Sequence, residues 1–187
     1  MTTDALLEVP VPGVVVLVGP AGAGKSTLAA RLFRPDEILS SDELRGAIRG
    51  DPTDQSISRV AFGILHRELI KRLADGRLVV VDATNLTRAA RAAILSRAGL
   101  SRVPAVAVVL VAPAAAVHAR NASRPSRSVP PAVVDHQLEA AAALGDGPAA
   151  ITARLLAEGF AGVSIVDAAS FASLDRVAIV RRPRRAS

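Results

Sequence analysis

Cysteine is absent from this chain of 187 residues, as are tryptophan and tyrosine, and there are only four phenylalanines. Without cysteine there is no disulfide and no thiolate metal site, and a reducing interior is compatible with the composition. Without an aromatic platform, a bound nucleobase has to stack on aliphatic groups, proline or arginine. No apolar run approaches the roughly 20 residues of a membrane-crossing helix. The opening MTTDALLEVPVPG carries an acid at Asp4 and no basic stretch, which does not fit a secretory signal. The expectation is a cytoplasmic protein with no membrane partner. Lysine is nearly missing as well: Lys25 and Lys71 are the only two, so the net charge of +6 rests on arginine. A basic surface suits polyanionic partners. Part of the excess sits in Arg181, Arg182, Arg184 and Arg185, however, a pattern that also describes a solvated tail.

Apolar residues make up half of the chain, enough for the core of one domain. Residues 19–27 read GPAGAGKST: Gly19, Pro20, Ala21, Gly22, Ala23, Gly24, Lys25, Ser26 and Thr27. The fixed positions of the phosphate-loop pattern G-x-x-x-x-G-K-[ST] are all met. The apolar run Val14 to Val18 precedes it, and Leu28, Ala29, Leu32 and Phe33 follow at helical spacing. Strand, glycine loop and helix thus come in the order that anion binding needs. The glycines let backbone N–H groups converge, and the helix N-terminus adds partial positive charge. Lys25 is expected to reach the β- and γ-phosphates of a nucleoside triphosphate, and the Ser26 hydroxyl to sit on Mg²⁺.

Elsewhere apolar runs alternate with helical patterns, the signature of a parallel sheet wrapped by helices. Strands are predicted at 14–18, 37–39, 77–82, 105–111 and 163–167, and helices from Lys25 and near Asp42, Ser56, Thr87, Pro113, Pro130 and Pro148. In the helix over 56–74, Val60, Ile64, Leu65, Leu69 and Leu73 are expected on one face, with Gly76 as its C-cap.

An open parallel sheet places its active site past the C-terminal ends of its strands, and four polar clusters fall there. In Ser40-Ser41-Asp42-Glu43-Leu44-Arg45, Asp42 and Arg45 share one side of a first helical turn. The carboxylate can take a proton from an attacking hydroxyl while Arg45 holds a phosphate or orients the acid; alternatively Ser41 or Asp42 only caps the helix. Asp82-Ala83-Thr84-Asn85 closes a strong strand, where Asp82 can hold Mg²⁺ or its water shell and Asn85 or Thr87 can cap the next helix. Arg120, Arg124 and Arg127 lie in a polar stretch bounded by Pro130 and Pro131, the composition of a mobile lid or of a solvated loop. Asp51 to Gln55 reads as a capped helix start. His66, His118 and His136 lack metal-ligand spacing and receive no catalytic part.

The succession GPAGAGKST, LSSDELRG, DPTDQS, GRLVVVDATN, ARNASRPSRSVP and a late EGF resembles the kinase domain of bacterial polynucleotide kinase–phosphatase proteins, over nearly all of residues 13–182. The resemblance implies an α/β fold of the P-loop NTPase type, nucleoside/nucleotide kinase-like. Its parallel sheet has about five strands flanked by helices, with a helical arginine-bearing lid at about 120–131. Residues 1–12 are then an N-terminal extension and 183–187 a basic tail. It further implies transfer of the γ-phosphate of ATP, or another triphosphate, with Mg²⁺, to the 5′-hydroxyl of a DNA or RNA end. By matching position, Asp42 is the general base and Arg45 contacts the acceptor phosphate. Arg120 is the lid arginine on the donor phosphates, with Arg124 and Arg127 as companions, and Asp82 and Asn85 line the acceptor side. Family members often carry a phosphatase and a ligase-type domain after the kinase, whereas this sequence ends about where a phosphatase would begin. A stand-alone kinase and an excised domain both fit, and a phosphatase or ligase partner fits either. Two rivals remain: a kinase for a small metabolite or antibiotic, and a nucleotide-dependent switch.

Overall fold

The computed structural model describes residues 7–49, 58–124, 128–167 and 179–183. Five strands, β2 (Gly13–Val18), β3 (Ile38–Ser40), β4 (Leu78–Asp82), β5 (Ala105–Leu110) and β6 (Gly162–Val166), form a parallel sheet in the order β3-β4-β2-β5-β6. All β2 side chains are buried, as a strand covered on both faces requires. Alternation along β2 assigns each side chain to a layer. Val14, Val16 and Val18 pack with Leu65, Leu69, Ile94 and Leu155. Val15 and Leu17 pack with Leu28, Ala29 and Phe33 on the opposite face.

The first layer comes from α3 (Ser58–Ala74), α4 (Arg88–Leu100) and α7 (Pro148–Glu158), and the second from α1 (Lys25–Leu32). Helices α2 (Ser41–Arg49), α5 (Ala114–Ala122) and α6 (Pro131–Ala142) lie toward the C-terminal edge of the sheet, where β3 and β5 end. The five expected strands occur with shifts of a residue or two.

The buried stripe of α3 differs in phase from the expected one. Ala61, Leu65, Leu69 and Leu73 recur every fourth residue and are buried, while Val60 is 57% exposed. Val60 lies about 100° round the helix from Ala61, so a stripe set by Ala61 turns it to solvent. Residues 7–11, within the expected N-terminal extension, form β1 (Leu7–Val11), paired in parallel with β7 (Ile179–Pro183). Val9 of β1 is fully buried in the second layer. Arg181 of β7 forms a two-nitrogen pair with Glu37, whose carboxyl is held below its usual range by that guanidinium despite partial burial.

One buried ion pair holds the crossover side of the sheet to the turn after β4. Arg91 of α4 is 1% exposed and donates to both oxygens of Glu158, at the end of α7, at 2.7 Å each. Its third nitrogen donates to the carbonyls of Asn85 (3.0 Å) and Leu86 (2.7 Å). A charged residue in phase with Ile94 and Ala98 on the buried face is the sequence signal for such a clamp, and the sequence reading did not use it. Removing one member of a buried pair strands the other's charge. Glu158→Ala should therefore lower the unfolding free energy by about 3–5 kcal/mol, read from the denaturant midpoint. A loss below about 1 kcal/mol would mean that Arg91 is satisfied without it.

Candidate active site

The phosphate loop leaves β2 at the sheet centre, between β4 and β5. Its start is tied to the turn after β4, since the Gly19 N–H donates to the Thr84 carbonyl at 3.0 Å. Gly24 caps α1 in the left-handed region (φ 103°), a conformation costly for any residue with a Cβ. Gly22 (φ 86°) has a second reason to be glycine: a Cβ there would sit 2.5 Å from the Val117 carbonyl of α5. Lys25 is 8% exposed, and its ammonium donates to the carbonyls of Gly19 and Pro20, both at 2.9 Å. Burial lowers its pKa to about 8, with Asp82 and Asp42 pulling the other way and Arg124 adding to the depression.

The neighbouring strands bring the carboxylates. Asp82 ends β4 in a buried position. Burial raises its pKa against the pull of Lys25 and of a hydrogen bond from Ser26, and Asp42 adds to the rise. Asp42 and Arg45 lie on the first turn and a half of α2 and form an ion pair. The helix is capped by Ser40, whose Oγ accepts from the Glu43 amide at 3.4 Å, so the cap does not consume Asp42. The Asp42 side chain is 36% exposed and open to a reactant, whereas Arg45 is 8% exposed and buried behind it. Lys25, Ser26, Asp42, Arg45, Asp82 and Arg124 thus come from four loops to one place. Ser26 and Asp82 offer the hard oxygen donors that suit Mg²⁺. Among the described residues no group of three or more His, Asp or Glu could hold a metal ion. Any divalent ion here would therefore share its shell with phosphate oxygens and water.

Across β2 from these carboxylates lies a cavity of about 680 Å³, bordered by Gly19 and Pro20. Leu86, Leu110, Leu138, Ile151 and Ile165 make its walls apolar, and Glu139 and Asp167 are its charged lining residues.

Other expected site residues fall differently. Asn85, expected on the acceptor side, is 2% exposed and donates to the carbonyls of Leu17 (2.7 Å) and Ala83 (3.3 Å). Its left-handed backbone (φ 49°) turns the chain into the next helix, and the N-cap there is Thr87, whose Oγ1 accepts from Ala90. Arg120 has an exposed side chain on the last turn of α5. Asn121, which sequence reasoning did not single out, exchanges two hydrogen bonds with Val129 and so joins the ends of the segment between α5 and α6. Arg127, Asp51 to Gln55 and Ser56 lie outside the described residues. Pro20, Ala23 and Gly24 are buried in the loop, and Thr27 is exposed on α1. His118 contacts Asp135 across α5 and α6 at 2.9 Å, away from these groups. Among the described residues no helix is long and apolar enough to cross a membrane.

A family model described as an AAA domain (AAA_33) matches residues 14–144, from β2 to beyond α6. The chain belongs to this AAA domain family. No curated protein sequence matches the chain. Solved structures share the fold. A chain of the Pnkp1/Rnl/Hen1 RNA repair complex superposes with a TM-score of 0.60 at 18% identity, over 74% of this chain and 47% of that one. Kti12 from Chaetomium thermophilum, solved with ADP-AlF3, gives 0.58 at 15% identity, over 88% and 99%. A sugar kinase from Janibacter sp. HTCC2649 gives 0.54 at 19% identity, over 89% and 94%. At such identities the likeness is one of fold, that of a P-loop kinase.

The lysine of this AAA domain has a consequence that can be titrated. A triphosphate favours the charged ammonium, so binding raises the pKa of Lys25 above its value of about 8 in the free protein. ATP affinity should be level below about pH 7 and fall as the pH rises through 8 and beyond, about tenfold per unit at the steepest. Titrating ATP binding from pH 6.5 to 9.5 checks this, and an affinity constant across that window would contradict it.

Proposed function

We propose that this domain is an ATP-dependent kinase that transfers the γ-phosphate to the 5′-hydroxyl of a DNA or RNA end. The observation that carries the reading is the Asp42–Arg45 pair, set beside Lys25 and Asp82 with Asp42 open to a reactant. The loop amides and Lys25 hold the triphosphate, and the base of the donor enters the apolar cavity beside Gly19 and Pro20. Asp42 orients the acceptor hydroxyl and takes its proton, while Arg45 fixes the base and meets the phosphate flanking that hydroxyl. Arg124, with Arg120 and Arg127, neutralises charge on the transferring group. Mg²⁺, when bound by Ser26, phosphate oxygens and the shell of Asp82, would spread the charge that builds on the phosphoryl oxygens. A phosphatase or ligase of nucleic-acid repair is the partner chemistry that fits such an enzyme.

A second reading, a kinase for a small metabolite, is favoured by the match over almost the whole length of the Janibacter sugar kinase. The two readings separate on the acceptor. Incubation with γ-labelled ATP, Mg²⁺ and a 5′-hydroxyl oligonucleotide should label the oligonucleotide. No label, from a folded protein that binds ATP, would move the assignment to a small acceptor.

Asp42→Ala should cut transfer by about 10²–10⁴-fold, with ATP affinity within about threefold of the parent. Retained transfer would remove Asp42 as the base. Arg45→Ala should raise the acceptor KM or lower kcat without loosening ATP, and unchanged acceptor kinetics would remove that role.

A further inference from the structure

The crest of the phosphate loop is held from outside by the two helices that flank the arginine segment. The Ala21 N–H donates to Gln137 Oε1 of α6 at 2.7 Å, a contact between residues 116 apart in sequence. Gln137 lies three residues after Val134 and one before Leu138. Val134 is fully buried in a small cluster with Val117 of α5 and Val129, and Ala21 and Leu138 pack against it. Gly22, the next loop residue, presses against the backbone of Val117 so closely that no Cβ fits. Ala21 and Gly22 are therefore gripped by α6 through one hydrogen bond and by α5 through a backbone contact. None of these contacts involves Lys25, Asp42, Arg45 or Asp82.

We propose that Gln137 is a positioning residue that sets the phosphate loop for nucleotide binding, by accepting the Ala21 N–H and tying the loop to α6. The inference rests on the nucleotide-binding reading of the loop. Anion-binding loops work by convergence of backbone amides, so a tilt of one peptide plane moves its neighbours. From the α6 side, the apolar contacts of Ala21 with the Val134 cluster carry no direction, whereas the bond to Gln137 fixes the orientation of its peptide plane. The carboxamide suits this place because its oxygen accepts without bringing a negative charge toward phosphates. Glutamate would supply the same acceptor with that charge, and methionine would keep the length of the side chain without a strong acceptor. Because Gln137 sits on the helix that follows the arginine segment, a shift of α6 is transmitted to the loop at this bond.

The test is binding of the fluorescent analogue mant-ADP by the full chain and by Gln137→Met and Gln137→Glu, in 0.1 M and 1 M NaCl. Melting temperatures and exchange of the Ala21 amide are measured alongside. Gln137→Met should weaken binding about tenfold at both salts and speed Ala21 exchange, with little change in melting temperature. Gln137→Glu should bind weakly at 0.1 M. At 1 M, where the screening length falls from about 10 Å to about 3 Å, it should return to within about threefold of the parent. Parent-like affinity in Gln137→Met overturns the proposal. So does a Gln137→Glu that stays as weak as Gln137→Met at 1 M, or affinity losses that merely follow melting temperature. If the parent itself does not bind mant-ADP, the nucleotide reading of the loop falls, and this role with it.

Discussion

An ammonium ion held almost out of water is the constraint around which this site is built. Lys25 is enclosed by the loop whose carbonyls it bonds, so its charge is tolerable only where opposite charge stands close by. Asp82 and Asp42 supply that charge, and both are held in turn by structure farther out. Asp82 depends on the turn after β4, which is fixed by the Gly19–Thr84 bond and by the guanidinium of Arg91 on two of its carbonyls. Arg91 depends on Glu158, at the far end of α7. The ordering runs from one cation in the loop, through two carboxylates, to a second buried cation on the crossover helix.

The strand order divides the site chemically. On the side of β3 and β4 stand acids and an arginine, the groups that handle protons and phosphates. On the side of β5 and β6 lies an apolar recess. The phosphate loop sits between them because β2 is the central strand, with β4 one spacing and β3 two spacings away on the acid side. An all-apolar sheet interior makes this possible: with both faces buried, polar groups are expelled to the strand ends, where they meet.

Much of this was legible in the sequence. The phosphate loop, the five strands and the clustering of Asp42, Arg45 and Asp82 followed from short-range patterns of apolar residues, glycines and strand-end acids. What escaped was long-range. Nothing local in Leu7 to Val11 tells that it pairs with residues 179–183, and Pro10 points away from a strand. From the polar turn alone Asn85 was a candidate helix cap, and its acceptor-side role came from the family resemblance. Its amide nitrogen donates inward to Leu17, a partner 68 positions away. Gln137 was one polar residue on an ordinary amphipathic helix, and its bond to Ala21 could not be read before the chain was folded. The phase of α3 was misjudged because small Ala61, not large Val60, faces the sheet.

The pairing of β1 with β7 also sets an order of events during synthesis. Leu7 registers with Ile179, so the strand made first waits for almost the last one described. At about 5–20 residues per second, that wait is on the order of ten to thirty seconds. Meanwhile the five-stranded sheet has all of its own strands, and β1 has no ladder to join. Val9 and its neighbours are then an apolar segment without a partner, and the β1–β7 closure spans nearly all of the described residues. That edge therefore stays unpaired until residues 179–183 have been made.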